Sequence, residues 1–189
     1  MKRTPPTLLL RLADAGAKRS RGFKVLSLIT GGLIFLVLLP AFLFWLSQII
    51  TAAIAPFCPW LPCPPRLVEI IVATPFAIGG LLLLGWSTLT QWRHGHGTPA
   101  QLAPTQRLVT TGPYALCRNP IELGAILYYL GLGTMLDSLG NGIICAILAA
   151  LLGTAYHYLF EEAELAARFG EEYLIYREKT PFLIPRFKK

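Results

Sequence analysis

Charge is scarce in this 189-residue chain: 14% of residues are Asp, Glu, Lys or Arg, where soluble domains carry roughly a quarter. With 54% hydrophobic residues and a mean hydropathy of +0.55, that scarcity excludes a soluble globular domain. Acids are the scarcer sign, ten against seventeen basic residues. Histidine is nearly absent, and the three that exist are badly placed for a metal: His94 and His96 share a Gly-rich loop, and His157 lies in another segment. No metal site is expected. Four cysteines are too few and too scattered for a disulfide framework. Cys58 and Cys63 fall in one proline-rich loop where an oxidising compartment would permit a local bridge and the flanking prolines work against it, whereas Cys117 and Cys145 should not pair. There is no internal repeat and no low-complexity tract, and no nucleic-acid partner is expected.

What the chain does have is long apolar runs, judged against the roughly 17 to 25 residues that a helical membrane span needs. Val25 to Ile54 carries no charge in thirty residues and holds Pro40 as an expected kink. Leu67 to Trp92 carries only Glu69, near its start. Ile121 to Leu136 is short and begins with Glu122, and Leu139 to Phe160 follows it across a tight connection that predicts an antiparallel hairpin. Continuous apolarity, not alternation, selects helices over a barrel. The expected fold class is an all-α integral membrane protein of about four spans (25–54, 67–92, 121–136 and 139–160) with a cytoplasmic amphipathic C-terminal helix. A basic N-terminal segment, 1–24, precedes a single membrane domain, 25–189.

The basic residues set an expected orientation. Lys2, Arg3, Arg11, Lys18, Arg19, Arg21 and Lys24 precede the first run against a single acid, Asp14, while the 1–2 loop has only Arg66 and the 3–4 loop has none. The 2–3 loop carries Arg93, Arg107 and Arg118, and the tail is basic as well. Both termini and the 2–3 loop therefore face the cytoplasm, in a bacterial inner membrane or the endoplasmic reticulum. The N-terminal run is about twice a normal signal-peptide core and reads as a retained anchor. Its cations either set topology alone or also hold anionic headgroups, at about 1 kcal/mol each.

That orientation places two polar features on one face. The first is the proline-bracketed turn Gly112-Pro113-Tyr114-Ala115-Leu116-Cys117-Arg118-Asn119-Pro120; the second is the pair Glu161-Glu162 at the end of the fourth run. Arg118 offers a planar fork for a carboxylate, the glutamates offer acceptors for hydroxyl or ammonium groups, and Asn119 offers both a donor and an acceptor. Against these stand plainer readings: Arg118 as a snorkelling anchor, and the glutamates as first-turn acids of a solvated helix. Adjacent helix positions diverge by about 100°, so at most one of the two glutamates is expected to face a common pocket. Glu162, Ala166, Phe169, Tyr173 and Tyr176 form a one-faced stripe provided Gly170 does not break it, and Glu164 and Arg168 pair on the opposite surface. Such a helix rests on the bilayer and also covers what lies beneath it. Glu122, an acid entering a span, is costly unless paired, and Arg118 four positions earlier is its nearest expected partner.

From Gly97 onward several motifs occur together: Gly97-Thr98-Pro99, Leu108-Val109, Gly112-Pro113-Tyr114, Arg118-Asn119-Pro120, Gly124, Glu161-Glu162, Leu165, Phe169-Gly170, Tyr173, Tyr176 and Pro181. In that order and spacing, over roughly Trp86 to Phe187, the chain resembles the superfamily of isoprenylcysteine carboxyl methyltransferases and phospholipid methyltransferases. The resemblance implies an integral membrane enzyme that moves a methyl group from S-adenosylmethionine to a lipid-linked or amphipathic acceptor at the cytoplasmic face. It implies that Tyr114, Arg118, Asn119, Pro120, Glu161, Glu162 and Tyr173 hold the cofactor, with Arg118 and Glu122 as catalytic candidates. The chain departs from the family pattern at Glu122, where many relatives have Tyr, and at Asn119, where isoprenylcysteine-specific members usually have His. A Gly-x-Gly element of the phospholipid-methylating members is matched only loosely by Ile78-Gly79-Gly80, which reads equally well as close helix packing. Two further readings stay open: a relative of the NADPH-dependent sterol-type membrane reductases, and a non-catalytic membrane protein that keeps the fold.

Overall fold

The computed structural model describes residues 20–54, 64–99 and 103–185. Cys58 and Cys63, and hence the question of their bridge, lie outside these residues, as do most of the N-terminal cations and Arg186, Lys188 and Lys189. The described residues form helices and loops with no strand. α1 spans Arg21–Ile54, α2 Arg66–Gly95, α3 Pro120–Leu136, α4 Leu139–Tyr156 and α5 Glu162–Lys179, with a π turn at His157–Glu161 joining α4 to α5. The helices Arg21–Ile54, Arg66–Gly95 and Leu139–Lys179 are long and apolar enough to cross a membrane, and α3 is a shorter apolar helix. At 1.5 Å per residue its seventeen residues reach only about 25 Å, slightly less than a hydrocarbon core.

The outward surfaces are what a lipid solvent requires. Leu82, Leu151, Ile71 and Leu26 are all exposed, whereas the interior is built from Leu43, Leu84, Ala125, Tyr129, Cys145 and Ala149. Helices attract one another weakly in lipid, so close packing matters. α2 and α3 meet through Gly80, Gly124 and Gly131: a methyl group on Gly80 would lie 2.6 Å from the Gly124 carbonyl oxygen, and one on Gly131 would strike Ala77. Gly79 and Gly85 face open space. Of the glycines in the second run noted in the sequence, only Gly80 packs a helix.

The expected irregularity at Pro40 takes the form of a π turn, Ile34–Leu38, just before it. Proline has no N–H to give Leu36 O, four residues earlier, and the π turn sends Leu39 N to Ile34 O instead of Phe35 O. Two tyrosines of α3 supply the missing bonds: Tyr128 donates to Leu36 O at 3.2 Å and Tyr129 to Phe35 O at 2.6 Å. At the far end of the bundle Arg66 performs the same service for α3. Its guanidinium donates to the carbonyls of Thr134 and Asp137, both at 2.7 Å, and to that of Met135. Buried Glu69 pairs with Arg66 at 3.2 Å and accepts from Leu139 N at 3.0 Å, the first residue of α4. The hairpin expected from the short 3–4 connection is thus fastened by one ion pair, and Ser138 caps α4 by accepting from Asn141 N at 3.4 Å.

α4 runs through the π turn into α5 without a new helix N-terminus, because Glu161 and Glu162 both keep right-handed helical backbone angles. Gly170, at φ 54° and ψ −127°, then kinks α5. The kink breaks the stripe expected on one face: Tyr173 and Tyr176 beyond it are buried, while Phe169 before it lies under Arg168. Nor is the Glu164–Arg168 pair on a free surface. It forms at 3.1 Å, but both side chains are largely buried and Arg168 also donates to Thr105 O, so this face packs on the 2–3 loop.

Replacement Gly80→Val should cost about 1–3 kcal/mol by overpacking against α3, whereas Gly79→Ala should be neutral. Thermal unfolding of the detergent-purified variants checks this; a Gly80→Val protein that melts like the parent would contradict the helix contact.

Candidate functional site

Two polar clusters lie where the N-terminus of α3 meets the α4–α5 junction. The first centres on Arg118. Its Nη1 donates to Glu162 Oε1 at 2.5 Å and to the Tyr173 hydroxyl at 3.4 Å, across 44 and 55 residues of sequence. Arg177 approaches the other oxygen of Glu162 at 3.8 Å, so this acid sits between two guanidinium groups. The turn itself is held by backbone. Pro113 and Tyr114 lie in a short 3₁₀ segment, Gly112–Ala115, which opens at Gly112 with φ 62°, and Tyr176 donates to Tyr114 O at 2.6 Å. Pro120 then starts α3, where its missing N–H costs nothing.

The segment after α5 folds back over this turn. Arg118 N donates to Pro181 O at 2.9 Å, and Asn119 uses both its backbone N and its Nδ2 to reach Phe182 O, each at 3.1 Å. Phe182 is consequently the hub of the site: its ring lies 5.5 Å below the Arg118 guanidinium, stacks on Tyr158 at 4.6 Å and meets the edge of His157 at 6.1 Å. The Asn119 side-chain donor is thereby engaged by the chain's own tail.

The second cluster surrounds Glu122. Its side chain is 5% exposed, its Oε1 accepts from Thr154 Oγ1 at 3.0 Å, and its Oε2 lies 3.1 Å from His157 Nε2. That approach is within ion-pair range without the alignment of a hydrogen bond. The other ring nitrogen of His157 is in contact with Glu161, one helical turn further on. The pairing expected between Arg118 and Glu122 is therefore replaced by two separate ones, Arg118 with Glu162 and Glu122 with His157. The helix carries Arg118 toward α5 and Glu122 toward α4, since only Glu122 lies within regular α3. The expectation that at most one glutamate of the pair would face a common pocket is compatible with what the structure places here. Both are engaged, but in different clusters, Glu161 with His157 and Glu162 with Arg118.

Several buried polar atoms here have no hydrogen-bond partner among the described residues: Arg118 Nε, the Tyr114 hydroxyl, Gln91 Oε1 and Glu122 Oε2. The Tyr114 hydroxyl is held well above its usual pKa by burial and, secondarily, by Glu161. Burial, reinforced by Glu162, lifts that of Tyr173 to about 12. Both tyrosines are therefore neutral donors at physiological pH. His157, Thr154, Phe182, Arg177 and Gln91 were not singled out as site residues from sequence. The i,i+4 spacing of His157 and Glu161 was the one available signal; Phe182 carried none, because its role depends on the tail turning back.

An all-helical membrane architecture with a charge-lined junction at one end is the class of protein these features define. The chain belongs to the phospholipid methyltransferase family, whose model matches residues 68–172. It is an integral membrane protein. Over 79 residues, 42% of this chain, it is 40% identical to the cobalt-zinc-cadmium resistance protein CzcN of Cupriavidus metallidurans, of which that stretch is 36%. Over 98 residues, 49% of this chain and 32% of the relative, it is 34% identical to the protein-S-isoprenylcysteine O-methyltransferase of Mus musculus. Over 76 residues, 39% of this chain and 27% of the relative, it is 37% identical to the methanethiol S-methyltransferase 2 of Bradyrhizobium diazoefficiens. The chain thus spans about a third of the length of the curated relatives it matches. No solved structure matches it.

Burial pushes the Cys117 thiol, next to Arg118, up to about 11, and the residue is 1% exposed. Maleimide at pH 8 should leave Cys117 unlabelled in the native protein and label it after denaturation in SDS, as read by peptide mass spectrometry. Labelling of the native protein would show that the turn is not packed as described.

Proposed function

We propose that this protein is a methyltransferase of the membrane face that uses S-adenosylmethionine and delivers the methyl group to a lipid-linked or amphipathic acceptor. The observation that carries the proposal is the Arg118–Glu162 pair, buried where the turn before α3 meets α5, with Arg118 Nε left without a partner among the described residues and the Tyr114 hydroxyl and Gln91 side chain close to each other nearby. Buried polar groups without partners are uncommon and mark places where a polar ligand is received. The donor set suits the cofactor. Arg118, positioned by Glu162 and supported from below by Phe182, presents Nε to a carboxylate. Glu161 and the free capacity of Glu162 accept from ammonium or ribose hydroxyl groups. Tyr114 and Gln91 offer a donor and an acceptor to a heterocycle, and Tyr173 keeps Arg118 in register. Asn119 and Pro120 serve by fixing the turn, Asn119 through the tail and Pro120 through the start of α3. Glu122 is a catalytic candidate reached through His157.

When bound, the cofactor supplies an electrophilic methyl group on a sulfonium. The protein's contribution is placement: a rigid turn, a tail folded over it and apolar helix faces that admit an acceptor from the bilayer while excluding water. The basic residues flanking the first run and the 2–3 loop support a cytoplasmic position for this site. Two of the three relatives are named methyltransferases and differ in acceptor, a thiol in one and an isoprenylcysteine in the other, while the name of the third speaks of metal resistance.

Calorimetric titration of the detergent-purified protein with S-adenosylmethionine and with its demethylated product tests the reading. The parent should bind both, and Arg118→Ala should weaken binding about 10- to 100-fold, as expected for losing a charge-assisted hydrogen bond. A parent that binds neither, or one that takes up NADPH instead, would overturn it.

A further inference from the structure

The last turn of α2 reaches two places. Gln91 lies close to Tyr114, while the next residue, Trp92, lines a cavity of about 260 Å³ shared with Arg21 and Lys24 of α1 and with His96, where the chain leaves α2. The two helix ends are clasped there, because Lys24 Nζ donates to His96 O at 2.7 Å. The ammonium group keeps two further donors.

Positive charge at this cavity has no local answer. Among the described residues Arg66, Arg118, Arg168 and Arg177 each have a glutamate partner, whereas Arg21 and Lys24 form no ion pair. Between Asp14 and Glu69, and again between Glu69 and Glu122, the chain has no acid. Residues 1–19 add Lys2, Arg3, Arg11, Lys18 and Arg19 to the same end of α1, so they strengthen the positive field. His96 holds a left-handed backbone, φ 56° and ψ 28°, alone among the described non-glycine residues. Glycine is the usual occupant of that position after a helix. Here the glycines stand on either side instead, where a methyl group on Gly95 would lie 2.6 Å from Thr105 Cγ2 and one on Gly97 would lie 2.4 Å from Pro104 O. An imidazole is thus kept on the cavity in spite of backbone strain. Toward the middle of both helices the surface turns apolar. Trp86 and Leu89 continue the Trp92 face of α2 at intervals of three, and Val25, Leu26 and Ile29 follow Lys24 on α1, all of them exposed.

We infer that Arg21, Lys24, Trp92 and His96 form a headgroup site for an anionic phospholipid, which lays its phosphate diester at the cations and its acyl chains along the exposed faces of α1 and α2. Arg21 presents a planar fork to two phosphate oxygens, and Lys24 adds a point charge. The Trp92 indole and the His96 ring supply N–H donors, tryptophan being favoured at headgroup depth. The lipid is a structural ligand, not a methyl acceptor: it bridges the start of α1 and the end of α2 beside the Lys24–His96 bond, and so steadies the turn from which Gln91 approaches Tyr114. A free phosphate ion would satisfy the cations equally well, but it would leave the apolar faces below them without a role.

The test is native mass spectrometry of the full chain in detergent, titrated with phosphatidylglycerol, with phosphatidylcholine of the same acyl chains, and with phosphatidylglycerol in millimolar inorganic phosphate. The parent should hold one phosphatidylglycerol about 10-fold or more tightly than phosphatidylcholine, and inorganic phosphate should not displace it. Arg21→Gln and Lys24→Gln should each weaken phosphatidylglycerol binding about 5-fold, and together about 30-fold. Arg107→Gln combined with Lys179→Gln removes the same charge from exposed positions outside the cavity and should change the affinity by less than about 2-fold. His96→Gly, which relieves the left-handed backbone, should melt no lower than the parent and yet bind the lipid about 5-fold more weakly. A histidine with a purely structural role would not separate those two readouts. Equal affinity for the two lipids, full affinity in the His96→Gly protein, or a loss in the Arg107/Lys179 variant as large as in the Arg21/Lys24 variant would overturn the site. Displacement by inorganic phosphate would overturn the lipid as its occupant.

Discussion

The contact on which the rest of this structure turns is the ion pair between Arg118 and Glu162. Two charges have been taken largely out of water, each 11–16% exposed, at the place where the apolar bundle ends. Such a pair is weak evidence for stability, because desolvation offsets most of the attraction, but it is strict about geometry. It ties the turn before α3 to the start of α5. Around it the tail can fold back, with Arg118 N and Asn119 N donating to Pro181 and Phe182 carbonyls and the Phe182 ring resting beneath the guanidinium. Neither the Tyr114–Tyr176 contact nor the unpartnered donors around the turn would be assembled if the two segments were apart.

The remainder of the bundle follows one rule of a lipid solvent, that every polar backbone group must find a partner inside the protein. Pro40 removes a donor from α1, and Tyr128 and Tyr129 restore what Leu36 and Phe35 lose. Arg66 and Glu69 answer the free ends of α3 and α4 at the opposite end of the bundle. Small residues bring α2 and α3 close enough for these exchanges to be made by side chains of ordinary length. The structure is thereby divided: a rigid end closed by Arg66, and an end at Arg118 where several polar atoms are left open.

Much of this was legible in the sequence for simple reasons. Apolar run length depends on local composition alone, so the three long apolar helices and the shorter α3 were readable in the sequence, and the 3–4 hairpin followed from a two-residue gap. The turn at Gly112 to Pro120 and the glutamate pair stood out because charge is so rare in this chain. Partner choice was not legible in the same way. Arg118 and Glu122 are four residues apart and looked like neighbours, yet Arg118 precedes the regular helix, so the i,i+4 rule does not apply to it. The π turn at His157–Glu161 left no mark in composition. Gly170 was visible as a hazard to the aromatic stripe, and only the backbone angles decide that it breaks it.

Whether the Arg118–Glu162 pair is the cofactor seat is most directly measured by a double-mutant cycle. Affinity for the demethylated cofactor is determined calorimetrically for the parent, Arg118→Ala, Glu162→Ala and the double variant. If the two side chains act as one unit, the losses fall short of additivity by about 1 kcal/mol or more. Losses that add to within about 0.3 kcal/mol, or single variants that bind as the parent does, would contradict the account.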